Sequence, residues 1–183
     1  VGLIKNYKKM VTMDFKEIDN LVLVIGKTEG HIDQTLFART ILDEKNGPPP
    51  EVNLFNEKNN GESLLNLIEK GYIKSSHDIS LGGLITAVSK MCIKGNKGIK
   101  LKKSKNLINE IEYFFAEDQG RYLIEINPKD LKNVNKILDK NSVYHEELGV
   151  IIDKEMIINE KTKLTIDELR SYNTNWLINY MST

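Results

Sequence analysis

The sequence is short of the residues that would hold a fold together covalently or through metal. Cys92 is the only cysteine among 183 residues, so an internal disulfide is impossible and cysteine-ligated zinc modules are excluded. Proline is scarce outside one run, Pro48-Pro49-Pro50; the fourth is Pro128. Net charge is missing too. Lys+Arg and Asp+Glu both count 26, which removes the overall electrostatic footprint of a nucleic-acid or membrane-surface binder. Lysines gather between Lys97 and Lys105, where a solvated loop face accounts for them. No run of 18 apolar residues occurs, so no transmembrane helix is expected. No signal-peptide pattern opens the chain, and a cytoplasmic location is the default. The first residue is Val1 rather than Met, which fits an excised piece of a longer protein. Neither a Gly-x-Ser-x-Gly elbow, a Walker loop nor a Gly-x-Gly-x-x-Gly turn is present, and nothing supports a nucleophilic triad.

What is there suits an ordinary globular domain: 40% hydrophobic and 28% charged residues, enough chain for a sizeable core. Leu21-Val22-Leu23-Val24-Ile25-Gly26 is continuous, β-branched and stopped by glycine, the pattern of a strand covered on both faces. A short helix follows with Leu36, Phe37, Thr40 and Ile41 on one stripe and Asp33 as a possible cap. A longer helix runs from about Asn53 to Lys70, with Gly71 as its C-terminal signal. Further strands are read at Ile99–Leu101, Tyr122–Ile126 and Val143–Ile152. Helices are read around Leu84–Cys92, where Cys92 falls on the apolar face, around Leu107–Phe115, and from Pro128 through Leu138. A hairpin (Met156–Ile158, Leu164–Ile166) precedes a last helix in which Trp176 reads as a packing anchor. The alternation predicts an α/β chain with a mixed sheet.

Chemistry concentrates in three polar turns: Lys27–Thr35, Ser76–Gly83 and Glu117–Arg121. Such turns meet at one end of the sheet in α/β folds, where ligands bind. The second is the richest. In Ser75-Ser76-His77-Asp78-Ile79-Ser80-Leu81-Gly82-Gly83-Leu84, a polar loop leads from a short strand to a helix. Glycine admits close backbone approach, a helix start suits phosphate, and a carboxylate there can hold Mg²⁺ against a nucleotide. The same residues also read structurally, with Ser80 or Asp78 as an N-cap and the glycines serving close packing. His77 beside Asp78 is a candidate acid–base group. Arg121 either pairs with Glu117 or reaches a phosphate as a bidentate fork.

The run from His77 to Gly83 resembles the His-Asp-hydroxyl-acidic-Gly-Gly segment in C-terminal domains of the aminoimidazole-ribonucleotide-synthetase superfamily. Gly26–Thr35, Gly47–Leu54 (Gly-Pro-Pro-Pro-Glu-Val-Asn-Leu) and Phe115–Tyr122 (Phe-Ala-Glu-Asp-Gln-Gly-Arg-Tyr) resemble further blocks of one branch, in order and at fitting spacings. That branch is the family of ATP-dependent large subunits of phosphoribosylformylglycinamidine synthase. The resemblance covers Gly2 to about Ile152. It implies a three-layer α/β/α domain, partly ferredoxin-like. It also implies an enzyme that makes an amidine from formylglycinamide ribonucleotide, ATP and glutamine-derived ammonia, with Mg²⁺, in purine biosynthesis. By the same implication this chain would be its last domain, inactive alone, with residues 1–15 the tail and link of a preceding domain and residues 16–183 the domain itself. By the same resemblance Asp78 is the metal-ligand candidate and Ser80, Gly82 and Gly83 meet the nucleotide. No catalytic residue is carried over. The implied partners are the preceding nucleotide-binding domains, a glutaminase and a small accessory subunit, with self-association of the isolated domain. Leu81 stands where the family has a second acidic residue, and Asp33 where it has glycine; Leu81 supplies no oxygen, which points to an auxiliary site. A cyclo-ligase, a selenophosphate- or thiamine-phosphate-type kinase, or a non-catalytic interaction module are the alternatives.

Overall fold

The computed structural model describes residues 3–4, 6–102 and 109–182. In chain order its elements are β1 (Leu21–Ile25), α1 (Leu36–Thr40), α2 (Leu54–Glu69), β2 (Ile73–Asp78), α3 (Gly83–Gly95), β3 (Gly98–Leu101), α4 (Glu110–Phe115), β4 (Tyr122–Ile126), α5 (Leu131–Lys140), β5 (His145–Ile152), β6 (Glu155–Ile158), β7 (Thr162–Thr165) and α6 (Ile166–Met181). This is the alternation the hydrophobic pattern predicts. Leu107 and Ile108 of the expected fourth helix, and Lys103 and Lys105 of the lysine cluster, lie outside the described residues.

The continuous apolar character of β1 explains its place. It lies between β4 and β5, antiparallel to both, in a seven-stranded sheet ordered β2-β4-β1-β5-β3-β6-β7. Every described neighbour pair is antiparallel except β3 with β6. Successive strand side chains point to opposite faces. Val22 and Val24 accordingly join one buried cluster, with Leu84, Val88 and Met91 of α3 and Tyr113 and Phe114 of α4. Leu23 and Ile25 join another, with Leu64 and Leu67 of α2 and Val134 and Leu138 of α5. Two cores on one sheet make the expected three layers. Each of these four β1 side chains is fully buried, a gain of about 1.5–3 kcal/mol apiece. The units β1–α2–β2 and β4–α5–β5 interleave as β2-β4-β1-β5, which is the ferredoxin-like part; β3, β6 and β7 extend the sheet beyond it.

Three local readings change. The polar run does not open a loop at Ser75: β2 continues to Asp78, because Ser75 to Asp78 pair with β4. Ser75 faces a buried carboxylate rather than solvent. Thr35, not Asp33, caps α1, its hydroxyl accepting the Ala38 N–H. Trp176 is not an anchor; it is 62% exposed, because α6 reaches the core only through its first turns, at Ile166 and Leu169. Cys92 is buried as read, and desolvation pushes its thiol up to about 12. Among the described residues, no helix is long and apolar enough to cross a membrane.

The segment ahead of β1 is tied down by a carboxylate that the sequence pattern does not disclose. Glu125 of β4 is fully buried. It accepts the backbone N–H groups of Lys16 and Glu17, the Asn20 amide and the Ser75 hydroxyl at 2.7–3.0 Å. Phe15, expected at the end of a linker, packs into the first core, and Thr12 bridges to Ser75. Removing an acceptor that serves buried donors costs more than the bond alone. Glu125→Ala is therefore expected to lose about 3 kcal/mol in urea unfolding. A loss under about 1 kcal/mol would show that the segment is held by Phe15 alone.

Candidate nucleotide site at the strand ends

Tyr122, the first residue of β4, pairs with Ile25 on one side and Asp78 on the other. The exits of β1 and β2 and the entry of β4 therefore lie side by side, and the three polar turns converge as expected. What binds them is the Glu117-Asp118 pair. Glu117 Oε1 accepts the N–H of Leu36 at 2.8 Å and of Gly82 at 2.8 Å. Asp118 accepts three consecutive N–H groups, of Glu29 (3.0 Å), Gly30 (3.2 Å) and His31 (3.2 Å). Neither carboxylate was singled out for this role in the sequence. The Glu-Asp-Gln-Gly-Arg turn stands out there, but its bonding partners lie more than 30 residues away.

Arg121 sits beneath this junction, 1% exposed. Its guanidinium donates to Thr28 Oγ1 (2.9 Å), to the Ala116 carbonyl (2.6 Å) and, through Nε, to the Asp118 carbonyl (3.2 Å). The acidic partner is Asp118, 3.9 Å away, rather than Glu117, whose carboxylate is turned to the amides of Leu36 and Gly82. Burial pulls the Arg121 pKa down, and Asp118 offsets part of that. Its donors are aimed inward.

The candidate ligand groups line the strand-to-helix turn. Asp78 is 61% exposed at the side chain, with His77 Nδ1 3.1 Å from Oδ1. Ser80 and Leu81 are exposed, and Gly82 and Gly83 are buried. Gly82 is the N-cap of α3, left-handed at φ 85°. The Gly83 N–H donates to the Ser80 carbonyl at 2.9 Å. Neither Ser80 nor Asp78 caps the helix by side chain. A Cβ on Gly83 would meet the Phe114 and Ala116 carbonyl oxygens at 2.8 Å, so glycine is what lets α3 start against the end of α4. A polar cleft of about 440 Å³ opens instead between the other two turns and α2, lined by Lys27, His31, Asn56, Glu57, Gln119 and neighbours. His31 Nε2 lies 3.0 Å from the Pro48 carbonyl and holds the proline linker against it.

The donor set decides which metal the turn suits. Among the described residues, no three His, Cys, Asp or Glu side chains converge, so a resident ion held by protein alone does not fit. One exposed carboxylate does fit Mg²⁺ that arrives on nucleotide phosphates and keeps its waters.

His77 is the titrating group of the turn. Desolvation lowers its pKa first, Asp78 raises it, and Lys90 lowers it, with a net downward shift. Folding thus favours neutral imidazole. Its contribution is full above the unfolded value of about 6.5 and is lost as pH falls through the folded value. Urea unfolding should show a stability drop from about pH 7.5 to about pH 5 that His77→Asn reduces; an unchanged drop in the variant would place the titration elsewhere.

Comparison with known proteins follows the same line. Residues 17–159 match the family described as AIR synthase related protein, C-terminal domain. The chain is 67% identical over 181 residues to the phosphoribosylformylglycinamidine synthase subunit PurL of Pelagibacter ubique (strain HTCC1062), covering 99% of this chain and 25% of that protein. It thus spans about a quarter of the length of that curated relative. Among solved structures, T. maritima PurL complexed with FGAR is similar at TM-score 0.76 and 18% identity, over 89% of this chain and 30% of that one. T. maritima PurL complexed with ATP is similar at TM-score 0.68 and 16% identity, over 89% and 27%. At these identities the structural likeness shows a shared fold. With its matched span covering most of the sequence, this chain belongs to the AIR synthase related protein C-terminal domain family.

Proposed function

We propose that this chain serves as a domain of an ATP-dependent amidine-forming synthase, the phosphoribosylformylglycinamidine synthase of purine biosynthesis. The whole enzyme would convert formylglycinamide ribonucleotide to the amidine with ATP and glutamine-derived ammonia. The observation that carries the reading is the convergence of three motif-bearing turns at the strand ends, in a chain 67% identical along nearly its whole length to a PurL subunit. Within the enzyme the turn from Asp78 to Gly83 faces a nucleotide. Asp78 would hold Mg²⁺ on the phosphates, Ser80 would meet them, and Gly82 and Gly83, which carry no side chain, would let them approach the start of α3. The ion, when bound, neutralises phosphate charge. Arg121 does not reach the ligand; its bonds to Thr28, Ala116 and Asp118 keep the turns in place. His77 orients Asp78 across 3.1 Å. Leu81, exposed and without an oxygen, suits an auxiliary nucleotide site better than a catalytic one.

The proposed partners are the nucleotide-binding domains of the same enzyme, a glutaminase and a small accessory subunit; the relative's designation as a subunit supports assembly. The proposed location is the cytoplasm. Exposed apolar side chains supply contact surface: Leu54 and Phe55 on α2, and Tyr172, Trp176, Leu177 and Ile178 on α6. Patches of this kind mark protein interaction sites. Sedimentation of the isolated chain should show self-association at high concentration; a clean monomer would count against it.

Thermal unfolding tests the nucleotide reading. Mg-ADP at about 100 times its Kd should add about 2.7 kcal/mol of stability, and Asp78→Ala should remove most of it. Equal stabilisation of both proteins would remove Asp78 from the site.

A further inference from the structure

We infer that Glu117 is the positioning residue of the nucleotide turn: its carboxylate sets Gly82 and the start of α3 against α1. One oxygen, Oε1, accepts the Gly82 N–H and the Leu36 N–H, each at 2.8 Å. These amides lie 35 residues before Glu117 in one case and 81 in the other, on two separate turns, so the bond pair is a staple between turns and not a local cap. Gly82 needs such a fastening. As the N-cap residue of α3 it has no side chain to cap the helix, and its φ of 85° is a left-handed conformation. The Glu117 backbone is fixed in turn, because its N–H donates to the His31 carbonyl at 3.3 Å.

The inference refines the ligand contacts, and it rests on reading the turn as a nucleotide site. The Gly82 N–H is already given to Glu117 and the Gly83 N–H to the Ser80 carbonyl. Phosphate donors at this helix start are therefore the next amides, Leu84 and Ile85, together with the Ser80 hydroxyl. Glu117 acts on the nucleotide through the placement of those groups. A carboxylate that bound Mg²⁺ directly would act instead through its charge, and the two roles separate by isosteric substitution. Glutamine retains an oxygen that accepts both amides; alanine retains nothing.

The test compares wild type, Glu117→Gln and Glu117→Ala by amide hydrogen exchange and by calorimetric titration with Mg-ADP. Exchange at Leu36 and Gly82 should accelerate by about tenfold or more in Glu117→Ala and stay near wild type in Glu117→Gln. Affinity for Mg-ADP should fall by about tenfold in Glu117→Ala and by no more than about threefold in Glu117→Gln. Unchanged exchange in Glu117→Ala overturns the staple. Accelerated exchange with unchanged affinity overturns the positioning role. Equal loss of affinity in both variants overturns it in favour of a charge or metal-ligand role. If wild type itself shows no affinity, the nucleotide reading of the turn fails, and exchange alone then decides whether Glu117 sets it.

Discussion

Two consecutive carboxylates, Glu117 and Asp118, accept five backbone N–H groups from two other turns. The geometry of the strand ends depends on this pair. Turns ordinarily leave backbone amides to water, whereas here five are taken up by oxygen acceptors of the strongest kind available in a protein. The arrangement turns three separately encoded loops into one surface. Partners far apart in sequence meet because of strand order: a turn between α4 and β4 governs loops that follow β1 and β2, because β4 lies between those strands.

Such a junction carries a cost that the fold offsets nearby. Asp118 is almost fully buried and Arg121 lies beneath it. A buried ion pair alone is weak support, since desolvation takes back much of the attraction. The pair survives because its hydrogen-bonding capacity is filled. Asp118 meets three amides, and the guanidinium meets Thr28 and two carbonyl oxygens. Glu125, a second buried carboxylate, follows the same rule with four donors. One carboxylate of β4 thus fixes the incoming chain, and two just ahead of β4 fix the ligand end. Central placement in the sheet gives this strand both roles.

The layers were legible because their signal is local. A short, β-branched apolar run stopped by glycine reads as a strand covered on both sides, and β1 divides its side chains between two cores as that pattern requires. The three polar turns were expected at one end of the sheet because turns at strand ends gather there in α/β folds, and they meet there. Contacts set by distant residues were not legible. Ser75 and Ser76 read as loop because they are polar, yet Ser75 is buried against Glu125, which nothing in its own neighbourhood announces. Arg121 read as a partner of Glu117 because both stand in one short turn; rotation of the chain gives it Asp118 and gives Glu117 to Gly82 and Leu36. Trp176 read as core from its residue type, but α6 leaves the body of the domain after its first turns.

The account stands or falls on whether the joined turns receive a nucleotide. Titration of the ¹⁵N-labelled chain with Mg-ADP, followed by amide chemical shifts, measures this directly. The account predicts saturable shifts centred on Ser80 to Ile85, with smaller ones at Leu36 and Glu117 relayed through the staple. Saturable shifts confined to another part of the sheet, or none at millimolar nucleotide, would contradict it.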